Sequence, residues 1–348
     1  MPLRFKAGVT RLKILIADKF EKSGIEGLKS LGCEVFSEPD AGALPGGVAA
    51  AIQRCNPGAL VVRSTKVTAA SFEGVVAGAP GSLRLIVRAG AGVDNIDVPA
   101  ACAKGVRVCN CPGMNAVAVA ELTMALLLAC DRRVPEQTIA ARSGQWNKKE
   151  FSKTGLGGAR GLKGSTLGVV GAGAIGRAVI KRAIAFEMRV IVWSRSITRE
   201  HARDLGAEWG GIDTPALHAM AAKCDAVTVH LPAAPDTNKL LGREFFAAMK
   251  PGAVFINTSR GSLVDEAALR EAITGKALRA GLDVFDNQPS ATAAEWVNET
   301  VRLAGVCATH HTGASTDQAQ LAVAEETVRI VKVFMETGRA ENCVNERA

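Results

Sequence analysis

Aromatic residues are scarce. Tyrosine is absent, and aromatic side chains make up 4% of the 348 residues. So few rings offer no stacking platform for single-stranded nucleic acid. Long apolar runs are missing as well; none approaches the roughly 20 residues of a membrane span. Residues 1–13 are basic but lack an apolar signal core, so secretion is not expected and a cytoplasmic location is. The nine cysteines are an odd number, scattered from Cys33 to Cys343. Only Cys109 and Cys111 lie close, and no CxxC or Cys/His zinc spacing occurs. Reduced thiols and no metal are the expectation.

The charge is lopsided but diffuse. The net value is +8, with no basic run of five or six residues. That suits a small anionic ligand better than nucleic acid, with a merely solvated surface as the alternative. The length allows about two domains, each able to bury a core. Hydrophobic residues at 48% and 36 glycines suit an α/β chain.

Short apolar runs alternate with helical patterns. Strands are expected at 13–17, 33–36, 59–63, 83–87 and 106–109, with helices at 20–31, 45–54 and 98–104 between them. Helices 115–128 and 136–145 follow. A second series has strands at 167–170, 190–193, 226–230, 253–257, 278–285 and 301–307. A long helix, 315–337, should fold back onto the first series. Such alternation means parallel sheets covered on both faces.

The stretch Thr166–Ser194 carries the clearest signal. Its Gly171, Gly173 and Gly176 form a GxGxxG turn between a strand and a helix, with Ala174 and Ile175 inside it. Gly171 permits the tight turn, Gly173 admits a pyrophosphate, and Gly176 lets helix and strand pack closely. The helix N-terminus offers N–H groups and partial positive charge to that anion. About 20 residues on, a carboxylate would bind the ribose hydroxyls of NAD. This chain has Ser194 there, followed by Arg195, Ser196, Thr198 and Arg199. Hydroxyls and guanidinium groups accept a 2′-phosphate, so NADP(H) is favoured over NAD(H). Solvated arginines, or arginines stacked on the adenine with NAD in use, are the alternative.

Other candidates follow strand ends, where such sheets bind ligands. Arg63, Ser64 and Lys66 offer cations and hydroxyls. The segment 88–97 is glycine-rich and offers backbone N–H groups to a carboxylate. Arg260 follows strand 253–257 and suits a bidentate grip on a carboxylate. Asp283 sits where it can accept a bond from a nicotinamide amide. Among five histidines, His201 and His218 read as solvated and His230 as packed. His310 and His311 follow the last strand. Reduction of a 2-oxo acid needs a proton, and histidine is the usual donor. From spacing alone, His311 reads equally well as structural.

The segments VRSTKVT (62–68), VRAGAGVDNID (87–97), NAVAVAEL (115–122), INTSRGSLVDEAAL (256–269), LDVFDNQP (282–289) and HTGAST (311–316) resemble the D-isomer-specific 2-hydroxyacid dehydrogenase family. The likeness runs from Lys13 to about Asn345. It implies two doubly wound parallel-sheet domains, a Rossmann-type cofactor domain (115–311) inserted in a flavodoxin-like substrate domain (1–114 and 312–348). It implies hydride transfer between nicotinamide and a D-2-hydroxy acid, with 3-phosphoglycerate the leading substrate. Glyoxylate or hydroxypyruvate reduction is the alternative, and a non-catalytic dinucleotide-sensing protein is a reading of another class.

By this resemblance Arg260 and His311 match the family's active site, while Gln288 stands at the usual glutamate. Gln288 is expected to accept a bond from the ring of His311 without adding charge. His310 replaces the usual proline. The resemblance also assigns Arg63, Ser64, Lys66 and the backbone of Ala91 and Gly92 to the substrate. It assigns Ala174, Ile175, Thr258, Asp283 and Gly313 to the cofactor cleft. A homodimer through helices 115–145 is expected, and a C-terminal regulatory domain is not.

Overall fold

The computed structural model describes residues 11–76, 82–152, 158–289 and 293–346. The chain divides into two compact units, Met1–Asn115 with Asp317–Ala348, and Ala116–Thr316.

In the first unit the strands are β1 (Lys13–Ile16), β2 (Glu34–Ser37), β3 (Ala59–Val62), β4 (Leu85–Arg88) and β5 (Arg107–Asn110). They form one sheet in the order β2-β1-β3-β4-β5, all parallel. Its helices are α1 (Lys22–Ser30), α2 (Gly47–Cys55), α3 (Val98–Ala103) and, at the far end of the chain, Asp317–Thr337. Successive strand residues face opposite sides, and both sides are covered. Ile14 and Ile16 pack with Val323, Ile330 and Val331 of the last helix. Leu15, Leu60 and Val62 pack with Val48 and Ile52 of α2. The strand order reverses between β1 and β3, which opens a crevice at their carboxyl ends.

The second unit begins with α4 (Ala116–Arg132) and α5 (Val134–Arg142). Then come β6 (Thr166–Val170), α6 (Ala174–Ala185), β7 (Arg189–Trp193), α7 (Arg199–Asp204) and β8 (Glu208–Trp209). They are followed by α8 (Thr214–Lys223), β9 (Ala226–Val229), α9 (Arg243–Ala248), β10 (Val254–Asn257) and α10 (Glu266–Lys276). β11 (Arg279–Leu282) and β12 (Val306–Ala308) close the sheet, and Asp317–Thr337 is α11. The sheet order is β12-β11-β10-β9-β6-β7-β8, every pair parallel. Phe245, Phe246 and Phe255 meet edge-on under one face, adding to the burial term of the rings. Leu126, Val179 and Ile180 from α4 and α6 cover the other face.

The strand expected within 278–285 is β11, after which Asp283 to Gln288 turn across the carboxyl edge of the sheet. Two differences from expectation have physical reasons. The strand expected at 301–307 is β12, displaced to 306–308 by the turns before it. The return to the first unit falls at 316/317, not 311/312. Residues 312 and 313 stay with the second unit because their N–H groups donate to the Asp283 carboxylate.

Candidate active site

At the β6–α6 turn each glycine has its own cause. Gly171 has φ +102, and a Cβ there would lie 2.5 Å from the His230 carbonyl oxygen. A Cβ at Gly176 would lie 2.0 Å from the Gly171 carbonyl oxygen, so only glycine lets α6 start on the strand end. A Cβ at Gly173 would meet nothing within 4 Å. Gly173 is the N-cap of α6, whose first residues, Ala174 and Ile175, carry N–H groups with no partner inside the helix. Such a helix start fits the pyrophosphate of a dinucleotide. Arg177, passed over in the sequence, donates to the Ala172 carbonyl at 2.9 Å and brings a cation to the turn. Its only signal was its place in the first turn of α6.

The end of β7 carries no carboxylate. Ser194 is buried, its hydroxyl 3.2 Å from that of Ser196. Arg195 is ion-paired with Asp236 on the loop after β9. Arg199 lies over the Trp209 ring at 4.6 Å. The arginines have defined partners, and Asp236 is a carboxylate that sequence distance had hidden.

Three adjacent strand ends, β10, β11 and β12, carry the remaining candidates. Neighbouring strands lie about 4.8 Å apart, so the three ends span roughly 10 Å. After β10, Asn257 holds the turn: its Oδ1 accepts from Ser259 N–H and its Nδ2 donates to the Arg260 carbonyl, both at 2.9 Å. Arg260 Nη1 donates to the Ser259 carbonyl at 2.8 Å. A Cβ at Gly261 would sit 2.1 Å from the Phe285 carbonyl carbon, so this glycine lets the Arg260 loop press on the loop after β11. Thr258 is buried, its hydroxyl 2.9 Å from that of Thr123. The Thr123 hydroxyl in turn donates to the Val119 carbonyl at 2.8 Å.

Asp283 is an anchor. Its carboxylate accepts from the Thr309 hydroxyl at 2.6 Å and from the N–H groups of Thr312 and Gly313 at 2.9 Å each. Its carbonyl accepts the His311 N–H at 2.8 Å. Oδ1 thus serves two donors and Oδ2 the Gly313 N–H. These bonds hold His311 at φ +54, a conformation costly for a residue with a Cβ. Its ring Nδ1 lies 2.8 Å from Gln288 Nε2. His310 is exposed and carries no recorded contact with this pair.

In the first unit Asp18, at the end of β1, takes the backbone N–H groups of Arg63, Ser64 and Thr65 at 2.6, 3.2 and 3.1 Å. The Ser64 hydroxyl also donates to it, at 2.9 Å. Both donors of Ser64 thus point to Asp18. Arg63 and Lys66 remain as the cations of this loop. Asn95 Nδ2 donates to the Thr65 carbonyl at 2.7 Å, tying the loop to segment 88–97. Ala91 and Gly92 stand on that segment, whose Gly90 has φ +151. Their N–H groups make no recorded bond among the described residues.

His230 ends β9 next to Gly171. Burial pushes its ring down to about 3. Nε2 meets the Thr228 hydroxyl at 3.0 Å, and among the described residues Nδ1 has no partner. Such a ring stays neutral at physiological pH. No group of three or more metal-ligating side chains occurs among the described residues. No helix among them is long and apolar enough to cross a membrane.

Comparison with known proteins adds to this geometry. The family model "D-isomer specific 2-hydroxyacid dehydrogenase, NAD binding domain" matches residues 124–313. A D-3-phosphoglycerate dehydrogenase of Methanocaldococcus jannaschii is 41% identical over 82% of this chain, which spans only 51% of that relative. A hydroxypyruvate reductase of Thermotoga maritima is also 41% identical, over 80% of this chain and 84% of the relative. Among solved structures, an NADPH-dependent glyoxylate/hydroxypyruvate reductase of Sinorhizobium meliloti, in complex with NADP and malonate, superposes with a TM-score of 0.77. It is 27% identical, with 97% of this chain and 100% of that chain covered.

Proposed function

Because the chain belongs to the D-isomer specific 2-hydroxyacid dehydrogenase family, we propose that it is an NAD(P)-dependent oxidoreductase interconverting a D-2-hydroxy acid and its 2-oxo acid. The observation that carries this reading is the arrangement of Arg260, Gln288 and His311 on neighbouring strand ends of the sheet that holds the glycine turn. A bound nicotinamide would exchange the hydride with C2. Gly171 to Gly176 and the start of α6 would hold its pyrophosphate. Arg260 grips the substrate carboxylate and stabilises charge on the neighbouring oxygen. His311 exchanges the proton of that oxygen.

3-Phosphoglycerate and 3-phosphohydroxypyruvate are the leading pair. Arg63 and Lys66 suit a second anionic group, and Ala91 and Gly92 offer N–H groups to a carboxylate. The relatives divide between phosphoglycerate dehydrogenases and hydroxypyruvate or glyoxylate reductases. Reduction of hydroxypyruvate or glyoxylate is therefore the second reading. Ser194, Ser196 and Arg195 favour NADP(H), although Arg195 must exchange Asp236 for the phosphate. The experiment is a panel pairing NADH and NADPH with phosphohydroxypyruvate, hydroxypyruvate and glyoxylate, read by absorbance of the reduced nicotinamide. Fastest turnover of phosphohydroxypyruvate supports the leading substrate. Turnover of none of the three defeats both readings.

We also propose a homodimer through α4 and α5. α5 buries none of its own residues, and Val134, Ile139 and the nearby Trp146 are 48%, 66% and 88% exposed. Light scattering that gives one chain's mass at micromolar concentration would contradict it.

A further inference from the structure

Gln288 is held by two contacts that fix which way its amide points. The Phe285 N–H donates to Gln288 Oε1 at 3.1 Å. A backbone N–H can only donate, so the atom opposite it must be the amide oxygen. The amide nitrogen is thereby placed 2.8 Å from Nδ1 of His311. An amide NH₂ has donors only. Nδ1 must then accept, and a neutral imidazole that accepts at Nδ1 carries its proton on Nε2. Turning the amide over would set two donors against each other at Phe285.

We propose that Gln288 is a positioning residue that holds His311 as the Nε2–H tautomer by donating to Nδ1. This reverses the direction of the bond expected from the sequence, where Gln288 was the acceptor. It rests on the proposed role of His311 at the substrate oxygen. With this tautomer the neutral ring hydrogen-bonds the oxygen of a 2-oxo acid through Nε2–H; to give up that proton it must first take another at Nδ1, and to accept one from a hydroxy acid Nε2 must first lose its own. Full protonation sets a second N–H against the amide. A glutamate at 288 would do the opposite. One oxygen would take the Phe285 N–H and the other an Nδ1–H, leaving the neutral ring a lone pair at Nε2.

Ionisable groups on the neighbouring segments include His310, Arg260, Asp265, Glu266, Asp283 and Asp286. The Asp283 carboxylate is taken by Thr309, Thr312 and Gly313. That of Glu266 is taken by the Asp286 N–H, Asn298 and Thr300. Gln288 Nε2 is the group that meets Nδ1, at 2.8 Å.

The test is ¹⁵N NMR of histidine-labelled protein above the titration range of histidine, with His311→Asn used to assign the ring. Wild type is expected to show a protonated Nε2 and a bare Nδ1, and Gln288→Glu the reverse. A wild-type ring protonated at Nδ1, or the same tautomer in both proteins, overturns the proposal. The wild-type spectrum decides alone should the variant fail to fold. Kinetics add a second reading: KM for the 2-oxo acid stays level through alkaline pH in wild type and climbs in Gln288→Glu. A merely structural contact would move neither. The tautomer is read without substrate, so an inactive protein with a protonated Nε2 would sink the functional reading and leave this one standing.

Discussion

At position 194 a buried hydroxyl stands where a carboxylate would select NAD, and the next residue, Arg195, is engaged by Asp236. The pair is exposed, so water and salt weaken it, and a phosphate can compete for the guanidinium. Removing the competitor should help: Asp236→Asn is expected to lower KM for NADPH roughly three- to tenfold and leave KM for NADH unchanged. Arg195→Ala should raise KM for NADPH alone. Steady-state kinetics with both coenzymes check this; equal effects on the two would place Arg195 away from the 2′ position. His230 makes a second prediction. Its folded value of about 3 lies below the ordinary 6.5, so the unfolded chain binds the extra proton. Its contribution to stability is present above pH 6.5 and is lost as pH falls from there towards 3, at about 1.4 kcal/mol per pH unit. Denaturant titrations from pH 7 to pH 5 should show a shallower loss in His230→Asn than in wild type. A slope unchanged by the substitution would contradict the buried neutral ring.

Among elements, the β6–α6 turn separates stability from binding. Gly173→Ala places its Cβ in open space and should leave Tm nearly unchanged while weakening coenzyme binding at least tenfold. Gly176→Ala drives a Cβ onto the Gly171 carbonyl and should cost about 1–3 kcal/mol of stability. Thermal melts with and without coenzyme tell the two apart, and matching losses of stability would contradict the packing described. This turn was legible in the sequence because its signals are local: glycine spacing, an apolar strand before it and an amphipathic helix after it. β8 was not legible, since two residues, Glu208 and Trp209, make no periodic pattern. The Asp18 contact was hidden for another reason. A carboxylate after β1 meets amides after β3 only once the sheet has set its order. Gln288 stood out as a departure from the family pattern, but the direction of its bond depends on the Phe285 N–H, which no spacing reveals.

For the whole molecule, thiol chemistry reports on the two cores. Cys33, Cys55, Cys109, Cys111, Cys130 and Cys224 are buried, and Cys102, Cys307 and Cys343 are half-buried. Burial pushes Cys33 up to about 11, and Cys109 and Cys224 up to about 12, where little thiolate forms at neutral pH. A thiol reagent at pH 7.5 should label Cys102 and Cys343 within minutes, and the six buried thiols only on unfolding. Peptide mapping by mass spectrometry reads this out, and early labelling of Cys224 would contradict the sheet packing of the second unit. The central claim is that His311, carried at φ +54 on the loop tied to Asp283, exchanges the substrate proton. Its most direct measurement is single-turnover oxidation of the bound reduced coenzyme by the best 2-oxo acid, wild type against His311→Asn. A rate lowered about 10²- to 10⁴-fold with coenzyme affinity unchanged is expected, and an undiminished rate would contradict the account.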